Sequence, residues 1–181
     1  MGGRHTGEEE RAGILMSSEE RQKAGVAYHE AGHVVVALDL DGIVSQVRIT
    51  RGREEWKGET HAELAKGDDA THAAYYAAGA IAQEKGVPDS AGLYTDQMDV
   101  NNLNRLADKQ IGGVPLIGPF ALPEDKKKRQ AFLSKADQTA AAIVEHRWAQ
   151  VEAVSKALLK SPHLVQDDIT RLVGPMNEGQ S

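Results

Sequence analysis

Tyr28-His29-Glu30-Ala31-Gly32-His33 is the stretch whose reading decides this chain. It has the form His-Glu-x-x-His. In a helix, His29 and His33 stand at i and i+4, one turn apart on the same face. Two imidazoles so spaced bind one Zn²⁺ without distorting the helix. Glu30 projects about 100° around the axis from His29, by the 3.6-residue period. That sets it beside the ion, where it can take a proton from a water held there.

The surrounding pattern supports a helix. Ser17 with Glu20 is a capping-box signature that starts it near Glu19. Ala24, Ala27, Ala31, Val34, Val35 and Leu38 follow at helical spacing, and Asp41-Gly42 closes it. Residues 34–38 are apolar nearly all round, so this end is expected to be buried and the helix central.

Composition narrows the rest. The 181 residues suffice for one domain with a sizeable core, and 40% are hydrophobic. Net charge is −6 without a basic stripe, which argues against nucleic acid as a partner. There is no cysteine, so a metal site must draw on His, Asp or Glu. The longest apolar run, 34–38, is far too short for a membrane span. The polar, acidic start does not read as a secretory leader, and the expected location is cytoplasmic.

The remaining chain reads as further helices around a small sheet, an α+β class. Residues 1–16 form a flexible arm, 17–175 a single domain and 176–181 a frayed tail. Strands are expected at 44–50 and 58–64, paired as a hairpin, with Thr60, Ala62 and Leu64 on one face and His61 and Glu63 on the other. An Ala-rich helix at 70–84 carries Gly79, which marks a close approach to a neighbour, expected to be the His-bearing helix. Another helix covers 97–110. Loops are expected from 86 to 94 and from 114 to 122. Pro123 opens one long helix to Lys160, and a short helix at 164–173 closes the chain.

A catalytic zinc needs three protein ligands and an open position. Asp39 lies ten residues after His29, but without a Gly after His33 to turn the chain it points away. Asp99 sits in the middle of the apolar face of the 97–110 helix, between Leu103 and Leu106, where a carboxylate is costly unless paired or metal-bound. Asp96 is explained by capping that helix. Asp99 is therefore favoured, with Asp96, His61 and His72 left as alternatives.

With these residues in view, the chain resembles the peptidase domain of FtsH-type membrane AAA proteases. The resemblance rests on Val26-Ala27-Tyr28-His29-Glu30-Ala31-Gly32-His33-Val34-Val35, on Val47-Arg48-Ile49-Thr50-Arg51-Gly52 and on Gly58-Glu59-Thr60. Ala78-Gly79-Ala80-Ile81-Ala82 and Met98-Asp99-Val100 fit it further along, so that order and spacing hold from about residue 20 to 173. It implies a zincin-like, mostly helical fold with a small sheet and one Zn²⁺ held by His29, His33 and Asp99. Glu30 would be the general base, and an edge strand at Gly58, Glu59, Thr60 and His61 would pair with an extended peptide or unfolded protein substrate. The 181 residues contain no Gly-x-x-x-x-Gly-Lys-Ser/Thr motif and no membrane helix. The expectation is thus a stand-alone zinc endopeptidase. A separate AAA ATPase and self-association are the partner expectations that the resemblance adds. The rival is a non-catalytic peptide-binding or adaptor module of the same fold.

Overall fold

A computed structural model describes residues 16–65, 67–88, 90, 96–112 and 122–175. The expected N-terminal arm falls outside these except for Met16, as do the tail from 176 and most of the two expected loops.

The order of elements is α1 (Ser18–Asp39), β1 (Ile43–Arg51), β2 (Trp56–Glu63), α2 (Asp69–Gly86), α3 (Gln97–Lys109), α4 (Pro123–His146), α5 (Trp148–Lys160), β3 (His163–Val165) and α6 (Gln166–Val173). The fold is mostly helical with a three-stranded antiparallel sheet, an α+β arrangement.

Helix α1 begins with a complete capping box. The Ser17 hydroxyl accepts from the Glu20 N–H at 3.2 Å, and the Glu20 carboxylate accepts from the Ser17 N–H at 2.8 Å. It ends in a Schellman-type turn: Gly42 N–H reaches Ala37 O at 2.8 Å and Asp41 N–H reaches Leu38 O at 3.2 Å. Asp41 holds the left-handed position at φ 57°, a place usually given to Gly. Residues Val34 through Ala37 have no solvent exposure, so the apolar end of α1 is covered on every side. Helices α2 and α5 and strands β1 and β2 supply that cover.

The α1–α2 contact is backbone-close. A Cβ on Gly32 would lie 2.6 Å from the Ala78 carbonyl oxygen and 2.7 Å from the Ala82 Cβ. Only small side chains permit this, which is why α2 is rich in Ala. On the sheet side, β2 alternates strictly, with Trp56, Gly58, Thr60 and Ala62 inward. In β1 a bulge between Val44 and Gln46 shifts the register, bringing Val44, Val47 and Ile49 together on the core face.

Two expectations need correction. The long helix to Lys160 is two helices, parted at Arg147 (φ −104°, ψ 23°). No Pro or Gly breaks it; the packing does. Helix α4 lies on α2 while α5 lies on α1, the Trp148 ring stacks on Tyr28 at 5.6 Å, and Arg147 Nε donates to Asp39 Oδ1 at 2.9 Å. The closing helix also starts later, because His163–Val165 forms β3 beside β1, giving the strand order β2-β1-β3 instead of a lone hairpin. Three residues are too few to show an alternation in sequence.

Leu158 of α5 is fully buried in the main core. Leu158→Ala is expected to lower the unfolding free energy by about 2–5 kcal/mol in urea denaturation. A loss under about 0.5 kcal/mol, the scale of ordinary surface substitutions, would mean that α5 does not close the core against α1.

Candidate metal centre

His29, Glu30 and His33 lie on the stretch of α1 that faces α2, α3 and β2, and all three are nearly inaccessible, at 3%, 2% and 4% exposure. Asp99 comes from the first turn of α3. Its Oδ2 lies 3.0 Å from His29 Nε2 and 2.7 Å from His33 Nε2. Among the described residues these three are the one His/Asp/Glu/Cys group whose donor atoms gather for an ion, all within 4.8 Å of one another.

The outer side of each imidazole is also held. His33 Nδ1 lies 2.9 Å from the Tyr75 carbonyl oxygen, and His29 Nδ1 lies 3.2 Å from Gln83 Oε1. Both partners are acceptors, so each Nδ1 carries the proton and each Nε2 presents its lone pair inward, a tautomer assigned from the partners. Gln83 cannot turn its amide around, because its Nε2 donates to Ser90 O at 3.1 Å and to Ser90 Oγ at 3.2 Å. Two lone pairs and a carboxylate oxygen therefore meet at one point. Such a meeting requires positive charge, either a proton or a cation.

Without a metal, Asp99 favours a proton on His33. Burial pulls its pKa down, but the hydrogen bond and charge of Asp99 outweigh burial and lift it to about 8. Burial pushes the Asp99 carboxyl up, and the hydrogen bonds and charges of the two imidazoles overcome this and hold it well below the usual carboxylate range. The donor set suits a divalent ion of the zinc type: two neutral imidazoles and one carboxylate, with no thiolate. The space suits it too. A Cβ on Gly79 would lie 2.4 Å from His29 Nε2 and 2.5 Å from His33 Nε2, so only glycine leaves room where the donor atoms meet.

Glu30 stands apart from this trio. Its Oε2 accepts from Thr60 Oγ1 at 2.6 Å. Burial pushes its pKa above the usual range, against the pull of His33, His29 and Thr60. Gly58 lets β2 come this close, because a Cβ there would sit 2.2 Å from Glu30 Oε1.

The other sequence candidates are elsewhere. Asp96 caps α3 through the Met98 and Asp99 N–H groups. His72 Nδ1 is 3.0 Å from the Asp68 carbonyl, and Asp39 pairs with Arg147. Of the expected substrate strand, Gly58 and Thr60 face Glu30, whereas Glu59 and His61 lie on the exposed face, joined to each other at 2.6 Å and, through Glu59, to Arg48. Sequence reading missed Gln83 and the Tyr75 carbonyl. A buried Gln one turn after Gly79 is a signal only once the helix is known to face His29, and a backbone carbonyl leaves no signal at all.

No family model matches the chain. It is similar to ATP-dependent zinc metalloprotease FtsH 3 of Sorangium cellulosum (strain So ce56), 29% identical over 183 residues that take in 88% of this chain and 30% of that protein. It is also similar to ATP-dependent zinc metalloprotease FtsH 1 of Rhodopirellula baltica, 27% identical over 190 residues, 86% of this chain and 28% of that protein. The chain therefore spans under a third of the length of these curated relatives, and the similarity supports a distant FtsH-like relationship over most of its own length. No helix among the described residues is long and apolar enough to cross a membrane.

Two outcomes are expected. Gly79→Ala should abolish zinc binding, read by competition with a chromogenic chelator, although alanine is the better helix former by about 1 kcal/mol. Zinc should also displace the His33 proton, so proton release on binding is largest below pH 8 and affinity falls as pH drops, by up to about tenfold per unit. Calorimetric titration in buffers of different ionisation enthalpy checks the sign; pH-independent affinity between 6 and 8 would contradict it.

Proposed function

We propose that this chain is a zincin-like zinc metalloendopeptidase that cuts extended or unfolded polypeptides, its catalytic unit lying within residues 17–175. His29, His33 and Asp99 would hold one Zn²⁺. The observation that carries the reading is the convergence of the two Nε2 atoms on Asp99 Oδ2, with Glu30 buried beside them. The two relatives are both named zinc metalloproteases, which agrees with it.

The bound ion would supply a Lewis acid that makes a water nucleophilic near neutral pH and polarises the scissile carbonyl. The protein's own groups do the rest. Glu30 takes the proton that the attacking water loses and passes it to the departing amine nitrogen. Its burial favours this role, since a carboxylate raised toward neutrality both accepts and returns a proton. Thr60 anchors one Glu30 oxygen and so fixes the direction in which the carboxylate works. The Tyr75 carbonyl and Gln83 keep the two imidazoles in the ligating tautomer.

Strand β2 is at the sheet edge among the described residues, with β1 on its other side. Its backbone at Gly58 to His61 would pair with an extended substrate, laying the substrate along the cleft. An ATPase, whether adjoining or acting in trans, would deliver unfolded chain, in keeping with the ATP dependence in the relatives' names.

In a fluorogenic-peptide assay, Glu30→Gln is expected to lower hydrolysis by about 10²–10⁴-fold while zinc content stays at wild-type level. A chelator should abolish wild-type activity, and added zinc should restore it. Wild-type rates in the Glu30→Gln protein would remove Glu30 from the mechanism. A zinc-loaded wild-type protein that binds peptides without cutting them would make the chain an adaptor.

A further inference from the structure

A cavity of about 190 Å³ opens directly beside the candidate metal centre, with His29 and Asp99 on its wall. It is smaller than the roughly 300–1,000 Å³ that encloses a whole small-molecule ligand. Its size fits one side chain of a chain lying across the centre. Tyr76, Ala80 and Ile81 of α2 and Val100 and Leu103 of α3 make the apolar walls. On the α4 side the wall is Asp137.

Asp137 is what separates this cavity from a plain apolar socket. No described residue gives it a hydrogen bond or an ion pair. Asp137 is exposed on its outer side, what burial it has disfavours its charge, and no described cation offsets that. The cavity carries no Lys or Arg among its described lining residues, while Asp96 adds a second carboxylate to the wall. An unpaired acid on the wall of an apolar slot, next to the reaction centre, is complementary to a long apolar stem with a positive tip.

We propose that this cavity is a specificity pocket for lysine or arginine next to the scissile bond, with Asp137 as the residue that selects the charge. The proposal rests on the peptidase reading above. The side-chain stem lies against Ile81, Val100 and Leu103, and the cation meets the Asp137 carboxylate. The Asp137 carboxylate is exposed on its outer side, so the pair is a modest one that sets selectivity more than affinity. The chain should therefore cut beside basic residues in preference to norleucine, which offers the same stem without the charge.

The test uses the zinc-loaded full chain and paired fluorogenic peptides that differ only in lysine against norleucine at each position flanking the cut. Lysine is expected to be preferred at one flanking position, roughly three- to tenfold in kcat/KM. Asp137→Asn should bring that ratio close to one, and Asp137→Lys should turn it toward glutamate. A norleucine preference in the wild type, or an unchanged ratio in Asp137→Asn, overturns the proposal. If no peptide is cut, the peptidase reading fails on its own, and fluorescence anisotropy of the same peptides on the zinc-loaded Glu30→Gln chain decides the pocket. Equal affinity for lysine and norleucine there also overturns it. Circular dichroism of each variant separates loss of selectivity from loss of fold.

Discussion

Everything in this structure depends on how closely α1 and α2 approach. Gly32 of α1 rests against the Ala78 carbonyl, and Gly79 of α2 lies against the two imidazoles. Either side chain, were it larger, would push the helices apart by more than the site tolerates. The same contact brings the Tyr75 carbonyl to His33 and Gln83 to His29. One backbone-close seam thus builds part of the core, clears the space where the donor atoms meet and sets the tautomers of both rings. A metal site of this kind needs its supporting contacts as much as its ligands.

The electrostatic cost of the site is met within the site. Three groups with inward lone pairs are stable together only around positive charge. In the metal-free protein the His33 proton supplies it, which is why that imidazole titrates near 8 and Asp99 far below its usual range. On the proposed reading a divalent ion would take over that role with more charge. Glu30 stands outside this arrangement, its Oε2 accepting from Thr60 Oγ1. The two carboxylates differ by the element that positions each: Asp99 is set by α3 against the imidazoles, and Glu30 is held against β2.

Much of this was legible in the sequence. The His-Glu-x-x-His turn, the Ser17–Glu20 cap and the acid on the apolar face of α3 are local patterns, and local physics makes them. The alternation of β2 was equally readable. Gly79 signalled a close approach to the His-bearing helix, and not that the two imidazoles themselves are what it meets. The break at Arg147 and the strand His163–Val165 were not readable, because each comes from packing against distant residues: Asp39 and Tyr28 for the break, β1 for the strand. The resemblance grouped Gly58, Glu59, Thr60 and His61 by their backbone, and the alternation of the strand sets the Glu59 and His61 side chains on the outer face. Asp137 could not be singled out at all, since a lone acid on a long helix looks like any solvated residue until the cavity beside it is seen.

The proposed chemistry turns on one cation joining α1 to α3. X-ray absorption at the zinc edge, on protein loaded with one equivalent, tests it most directly. The account predicts two imidazole nitrogens and a carboxylate oxygen near 2.0–2.2 Å, with the carboxylate contribution lost in Asp99→Ala. A ligand shell that Asp99→Ala leaves unchanged would contradict it.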